Sequence, residues 1–174
     1  ELDRRCKTAS RGQVHFGKLV DGTDIAVKVQ YPDISESVED EMKFMDWFPK
    51  FGPVEKYGFN IEGYHNVFWR NLSEELNYRV EARHQENYRR KVCQLKRIVI
   101  PEVLTDLSQS KILVQKKEEG FSLDKAETMM PEQKRSMGQL LLQHYLYMLF
   151  QQGFVHSDPQ PDNFAFRQYK KNYF

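Results

Sequence analysis

Residues 14–31 read "VHFGKLVDGTDIAVKVQY", two runs of alternating apolar residues interrupted by Asp21-Gly22. Asp-Gly at such a break supplies the backbone freedom of a tight turn, so the pattern predicts two antiparallel strands. Side chains alternate across a strand. In the second strand Ile25, Val27, Val29 and Tyr31 therefore share one face, while Ala26, Lys28 and Gln30 share the other. Pro32 closes it. A lysine on a strand face is most often a solvated edge residue. Here the small Ala26 beside Lys28 leaves room for a flat ring next to a phosphate held by the lysine.

Outward from the hairpin, Asp33 with Glu36 resembles a capping box opening a helix whose stripe is Val38, Met42 and Met45, stopped by Pro49, Gly52 and Pro53. Ile61, Tyr64, Phe68, Leu72 and Leu76 recur at steps of three and four, which predicts one long helical stretch over about 61–92. Short apolar runs follow at 97–104, "RIVIPEVL", and 111–115, "KILVQ"; the second is the strand candidate. Pro131 suits the first turn of a helix and Gly153 its C-terminal stop. That helix, 131–152, is expected to bury Met137, Leu140, Leu141, Tyr145, Met148 and Leu149. The order predicts an α+β fold of two small lobes, 1–118 and 119–174, joined by a hinge near 115–119.

Composition narrows the function classes. With 26 basic and 25 acidic residues the formal charge is +1, which argues against a nucleic-acid binder relying on a large positive field and leaves room only for a local patch. Cys6 and Cys93 stand far apart and in no metal-ligand spacing, as free thiols of an intracellular reducing compartment would. The apolar stretch 137–154 carries Gln139, Gln143, His144, Gln151 and Gln152, so it does not read as a membrane span. The chain begins at Glu1 with no signal-peptide pattern and stops at "RQYKKNYF", and is expected to be a fragment or a shortened protein.

Residues 153–163, "GFVHSDPQPDN", follow the long helix. Pro159 and Pro161 forbid helix there and stiffen a loop rich in polar side chains. His156-Ser157-Asp158 with Asn163 five residues on reproduces the H-R-D…N spacing of a kinase catalytic loop. The acid orients the proton of an attacking hydroxyl, and the amide oxygen ligates Mg²⁺ beside the phosphates. "IAVK" at 25–28 matches the V-A-I-K strand whose lysine holds the α- and β-phosphates. Such a lysine needs a carboxylate, and "EELNYRVEA" at 74–82 offers candidates. Glu75 and Glu81 are about 240° apart on one helix and cannot share a face, whereas Asn77 and Glu81 do. If this segment packs against the hairpin, Glu81 can pair with Lys28 while Glu75 serves another role; a solvated charged helix face is the alternative. "RRK" at 89–91 reads as a solvated face, "YKKNYF" as a frayed end, and His65, His84 and His144 as structural.

Together these segments resemble the UbiB group of atypical, protein-kinase-like proteins, from Thr8 to about Phe166. The resemblance rests on "TASRGQVH", "LVDGTDIAVKVQYP", "EELNYRVEAR" and "GFVHSDPQPDN". It implies a protein-kinase-like fold in which an alanine-rich loop ending in S-x-G-Q-V-H, here Ser10 to His15, replaces the glycine-rich phosphate loop. It implies that Ser10, Gly12, Gln13, Ala26 and Lys28 contact nucleotide and that Glu81 pairs with Lys28. It places Glu75 and Asn77 on an E-x-D motif, Asp158 at the catalytic acid and Asn163 at a metal ligand. The implied cofactors are ATP and Mg²⁺, with a link to ubiquinone or other prenyl-lipid metabolism, a membrane lipid or quinone precursor as partner, and membrane association.

The chain departs from that pattern. Lys7 and Thr8 replace alanines, Asn77 replaces the motif aspartate, and "QPDN" stands where H-P-G-N is usual. Lys116 and Lys117 occupy the hinge, the N-terminal K-x-G-Q segment is absent, and no D-F-G-like aspartate follows Asn163. As it stands the chain is expected to bind nucleotide weakly, to lack turnover, and to leave apolar surface of the 137–152 helix uncovered. A pseudokinase is the rival reading. A phosphotransferase of the aminoglycoside or choline kinase type is the other, and "ELNYRVEAR" argues against it. Oligomeric state is not legible.

Overall fold

Lys28 is not on an edge. The computed structural model describes residues 1–9, 11–34, 38, 40, 61–156, 159–169 and 172–173, and in it the strand of Lys28 lies inside a four-stranded antiparallel sheet. The strands are β1 (Leu2–Ala9), β2 (Gly12–Lys18), β3 (Asp24–Gln30) and β4 (Ile112–Lys116), in the order β1-β2-β3-β4. The helix expected after Asp33 falls almost wholly on Glu36, Met42, Met45 and the Pro49–Pro53 stop, outside the described residues, as do Ser10, Ser157 and Asp158. Val38 is described; it is buried against Leu72. The chain divides into two units, residues 1–85 with 103–116, and residues 86–102 with 117–174.

In the first unit, β2 and β3 are joined by a loop closed by the Leu19 N–H to Thr23 O and the Gly22 N–H to Leu19 O. Gly22 has φ 88°, where a side chain would be strained. The Asp21 carboxylate accepts the Thr23 N–H at 2.9 Å, and that bond holds its pKa below the ordinary value. On one face of the sheet Ile25, Val27 and Val114 form a core with Leu19, Val29, Leu104 and Ile112 packed against it. β1 was not foreseen. "LDRRCKTA" has no apolar alternation because it is an edge strand, where charged side chains block further pairing. Lys7 and Thr8, expected in a phosphate loop, thus lie on a strand, opposite Val14 and Gln13.

The stretch 61–92 is two helices rather than one: α1 (Ile61–Glu75) and α2 (Tyr78–Val92). Asn77 breaks it. Its Oδ1 accepts the Arg79 N–H at 3.0 Å and its backbone O accepts those of Val80 and Glu81, the bonding of a helix-capping residue. The Leu76 carbonyl is meanwhile taken by Gln30 Nε2 at 2.7 Å, and the Tyr78 N–H by Ser110 O at 2.8 Å. Glu75 and Glu81 therefore sit on different helices, and the separation of about 240° expected on a single helix does not apply to them. The "RIVIPEVL" run forms no strand of its own; within it only Val103 bridges β4, at Gln115.

The second unit is built on α3 (Pro131–Gln152), which starts at Pro131 and ends at Gly153, φ 59°. The Phe154 N–H reaches Met148 O across that end, as in a glycine-terminated helix. Short strands β5 (Phe121–Ser122) and β6 (Ala165–Phe166) pair antiparallel, as do β7 (Gln168–Tyr169) and β8 (Asn172–Tyr173). α3 buries Met137, Leu140, His144 and Met148, whereas Leu149 is exposed, with Leu142, Leu146 and Phe150. "RRK" is only partly a solvated face. Arg89 pairs with Glu86 and Glu102, and the Lys91 ammonium donates to Gln152 O at the C-terminal end of α3, where a cation is favoured. Among the described residues no helix is long and apolar enough to cross a membrane.

Candidate functional site

The second face of β3 carries Ala26, Lys28 and Gln30, and α2 lies along it. Lys28 Nζ bonds both oxygens of Glu81, at 2.8 and 3.1 Å. Gln85, one helical turn beyond Glu81, bonds Gln115 of β4 at 2.8 Å, and Gln30 holds the Leu76 carbonyl before α2 starts. Three polar contacts thus set where α2 sits and which of its side chains meets the lysine. The Lys28 and Glu81 side chains are 31% and 35% exposed. A pair so accessible contributes about 0–1 kcal/mol to stability. Its consequence is positional: a lysine is held in one place with its charge open to an incoming anion.

Ala26 is 7% exposed and pairs with Phe16 and Gln115. Gly12 opens β2 opposite Gln30, and a Cβ there would lie 2.1 Å from the Val29 carbonyl oxygen, so only glycine fits. Gln13 follows on the same strand, opposite Val29. Glu75 is the last residue of α1, and Asn77 is used as the cap just described. Ser10 and Asp158 lie outside the described residues.

Asn163 belongs to the second unit, on a 3-10 turn (Pro161–Asn163) whose side chains are exposed. Its backbone N–H is bonded to Gln160 O. Among the described residues no cluster of three or more His, Cys, Asp and Glu gathers that could hold a metal by itself. The start of this loop rests on aromatic contacts: the His156 ring is 6.1 Å from Tyr88 and 6.1 Å from Phe164.

Tyr88 also bonds His144 Nε2 at 2.5 Å in the buried core of the unit. Burial, with a smaller effect of Tyr145, pushes the Tyr88 hydroxyl up to about 12 and keeps it protonated. Burial, reinforced by His156, lowers His144 from its ordinary 6.5. The unfolded chain therefore takes up this proton more readily than the folded one. The neutral pair stabilises the fold fully above pH 6.5 and loses that contribution as pH falls through the lower folded value. Thermal melts between about pH 7.5 and 5 should show a falling midpoint, and His144→Gln should flatten the slope. Equal slopes would rule out His144 as its source.

Two neighbours of Lys28 escaped the sequence reading, Gln30 and Tyr78. Gln30 was placed on the lysine's face and could have been read as its companion in anchoring α2. Tyr78, directly after Asn77, carries no signal within a continuous helical pattern.

The model of the ABC1 atypical kinase-like domain matches residues 4–174. AarF domain-containing protein kinase 1 of Xenopus tropicalis is 32% identical over 170 residues, covering 92% of this chain and 31% of that protein. Atypical kinase COQ8B, mitochondrial, of Danio rerio is 30% identical over 166 residues, covering 95% of this chain and 27% of that one. The chain thus spans less than a third of the length of either relative. A solved structure, the Rv3197–erythromycin complex from Mycobacterium tuberculosis, superposes with TM-score 0.80 at 26% identity, covering 99% of this chain and 44% of that one.

Proposed function

This chain belongs to the ABC1 (UbiB) atypical kinase-like family, and from that premise we propose that it is the nucleotide-handling part of an atypical kinase or ATPase that binds ATP with Mg²⁺. The observation that carries the reading is the Lys28–Glu81 pair at 2.8 Å, set by two further contacts between α2 and the sheet. In this reading the two units are lobes of a kinase-like fold. Lys28 holds phosphate oxygens, Glu81 keeps the ammonium aimed, and Ala26 leaves space for the base. Gly12 and Gln13 approach the phosphates as backbone. Asp158 orients the attacking hydroxyl. When bound, Mg²⁺ neutralises the phosphate charge, and Asn163 with its exposed amide is the residue that would hold it. The substrate class proposed with this activity is a prenyl lipid or quinone precursor, met at a membrane in a reducing intracellular compartment.

A pseudokinase that senses nucleotide is the second reading. The neutral side chain of Asn77 favours it, because the motif would offer a charged carboxylate at this position. Calorimetric titration of ATP with Mg²⁺ into the protein and into Lys28→Met tests the shared premise. Binding is expected, weakened about tenfold or more in the mutant, the value of a charged hydrogen bond. No heat of binding in the wild type would overturn both readings. Mg²⁺-dependent ATP hydrolysis by the full-length protein then separates them.

A further inference from the structure

Tyr78 is only 1% exposed, and its ring is locked among Ala82, Val103 and Leu113 while its backbone N–H is tied to Ser110 O. Over that ring stands the ammonium of Lys28, 4.7 Å from the centroid. The separation is well inside the reach of a cation–π contact, about 6 Å. Leu113, which packs on Tyr78, is also the residue opposite Lys28 in the β3–β4 ladder. The tyrosine hydroxyl, meanwhile, has no hydrogen-bond partner among the described residues. Phenylalanine would fill the same core volume without burying an unsatisfied polar group, so what this residue does for Lys28 it does through its ring and not its hydroxyl.

We propose that Tyr78 is a positioning residue for Lys28, its core-locked ring and the Glu81 carboxylate one helical turn on fixing the ammonium from two directions. The proposal rests on the nucleotide reading and deepens it. An incoming phosphate competes with Glu81 for the same N–H donors of the lysine. The ring makes no such claim on them, because its attraction acts through the face of the π system. As phosphate takes over from the carboxylate, Tyr78 therefore keeps the ammonium where it was. A flexible four-carbon side chain is converted into a fixed charge by a rigid neighbour, which reduces the ordering cost when the ligand arrives. Asn77 serves the same end. By ending α1 and starting α2 at Tyr78, it places the ring and Glu81 three residues apart on one helix face.

The test replaces Tyr78 with phenylalanine and then with phenylalanines of increasing fluorination, introduced by nonsense suppression. The series preserves shape while withdrawing the negative charge of the ring face. Two quantities are read: the rate at which a small amine-reactive ester acylates Lys28, followed by peptide mass spectrometry, and the affinities for ATP and for adenosine. Phenylalanine should behave like tyrosine. Acylation should then rise stepwise by about fivefold across the series as the ammonium is held less firmly. ATP affinity should fall in parallel while adenosine affinity stays constant. A flat acylation rate across variants with unchanged circular dichroism would overturn the proposal. If the wild type binds no ATP, the nucleotide reading fails on its own, and the acylation series still decides the role of Tyr78.

Discussion

Replacing Asp158 with asparagine is expected to lower Mg²⁺-dependent ATP turnover by the full-length protein at least about a hundredfold, the usual contribution of a positioned general acid or base. The substitution keeps the shape of the side chain and removes its charge and proton affinity. The expectation comes from spacing: His156, Asp158 and Asn163 stand in the sequence at the H-R-D…N spacing of a kinase catalytic loop, with Pro159 and Pro161 between the acid and the amide. Nucleotide affinity should change little, because in this reading the acid meets the attacking hydroxyl rather than the phosphates held by Lys28. Unchanged hydrolysis in Asp158→Asn would remove the residue from the mechanism.

The largest expected effect on stability is at Gly12. A methyl group there would sit 2.1 Å from the Val29 carbonyl oxygen and 3.0 Å from its carbon, both backbone atoms of the interior strand β3. Backbone cannot rotate out of the way as a side chain does. Gly12→Ala should therefore cost at least about 2 kcal/mol, read as a shift of the urea midpoint. The damage should reach α2, because Gly12 pairs with Gln30 and Gln30 holds the carbonyl of Leu76. Gly138 is the control. It lies on α3 with nothing within 4 Å of an added Cβ, so Gly138→Ala should stabilise by up to about 1 kcal/mol through helix propensity alone. Equal midpoints for the two variants would contradict the steric account.

What could be read from the sequence follows how local each signal is. The Asp21-Gly22 hairpin, the β4 strand and the Pro131-to-Gly153 limits of α3 depend on residues adjacent in sequence, and they were legible. The α1–α2 break was partly legible, since an asparagine followed by a helix with an acid in its first turn is a start signal. The apolar periodicity of Ile61 to Leu76 masked it. β1 was illegible because its order comes from pairing with β2 rather than from its own side chains. The buried face of α3 could not be chosen either, since "LLLQHYLYMLF" is apolar nearly all round. The buried stripe takes His144 through its bond to Tyr88, a residue 56 positions away, and leaves Leu149 48% exposed. At the site, Lys28 and Glu81 were found by motif. Tyr78 was not, because its contact with Lys28 exists only once the helix has been broken and laid on the sheet.

The most direct test is an experimental structure of the full-length protein with Mg²⁺ and a non-hydrolysable ATP analogue. The account predicts a phosphate oxygen within hydrogen-bond distance of Lys28 Nζ, with Glu81 still within about 6 Å of the ammonium. The ring of Tyr78 should remain beneath it. A nucleotide bound elsewhere, with Lys28 and Glu81 undisturbed, would contradict it.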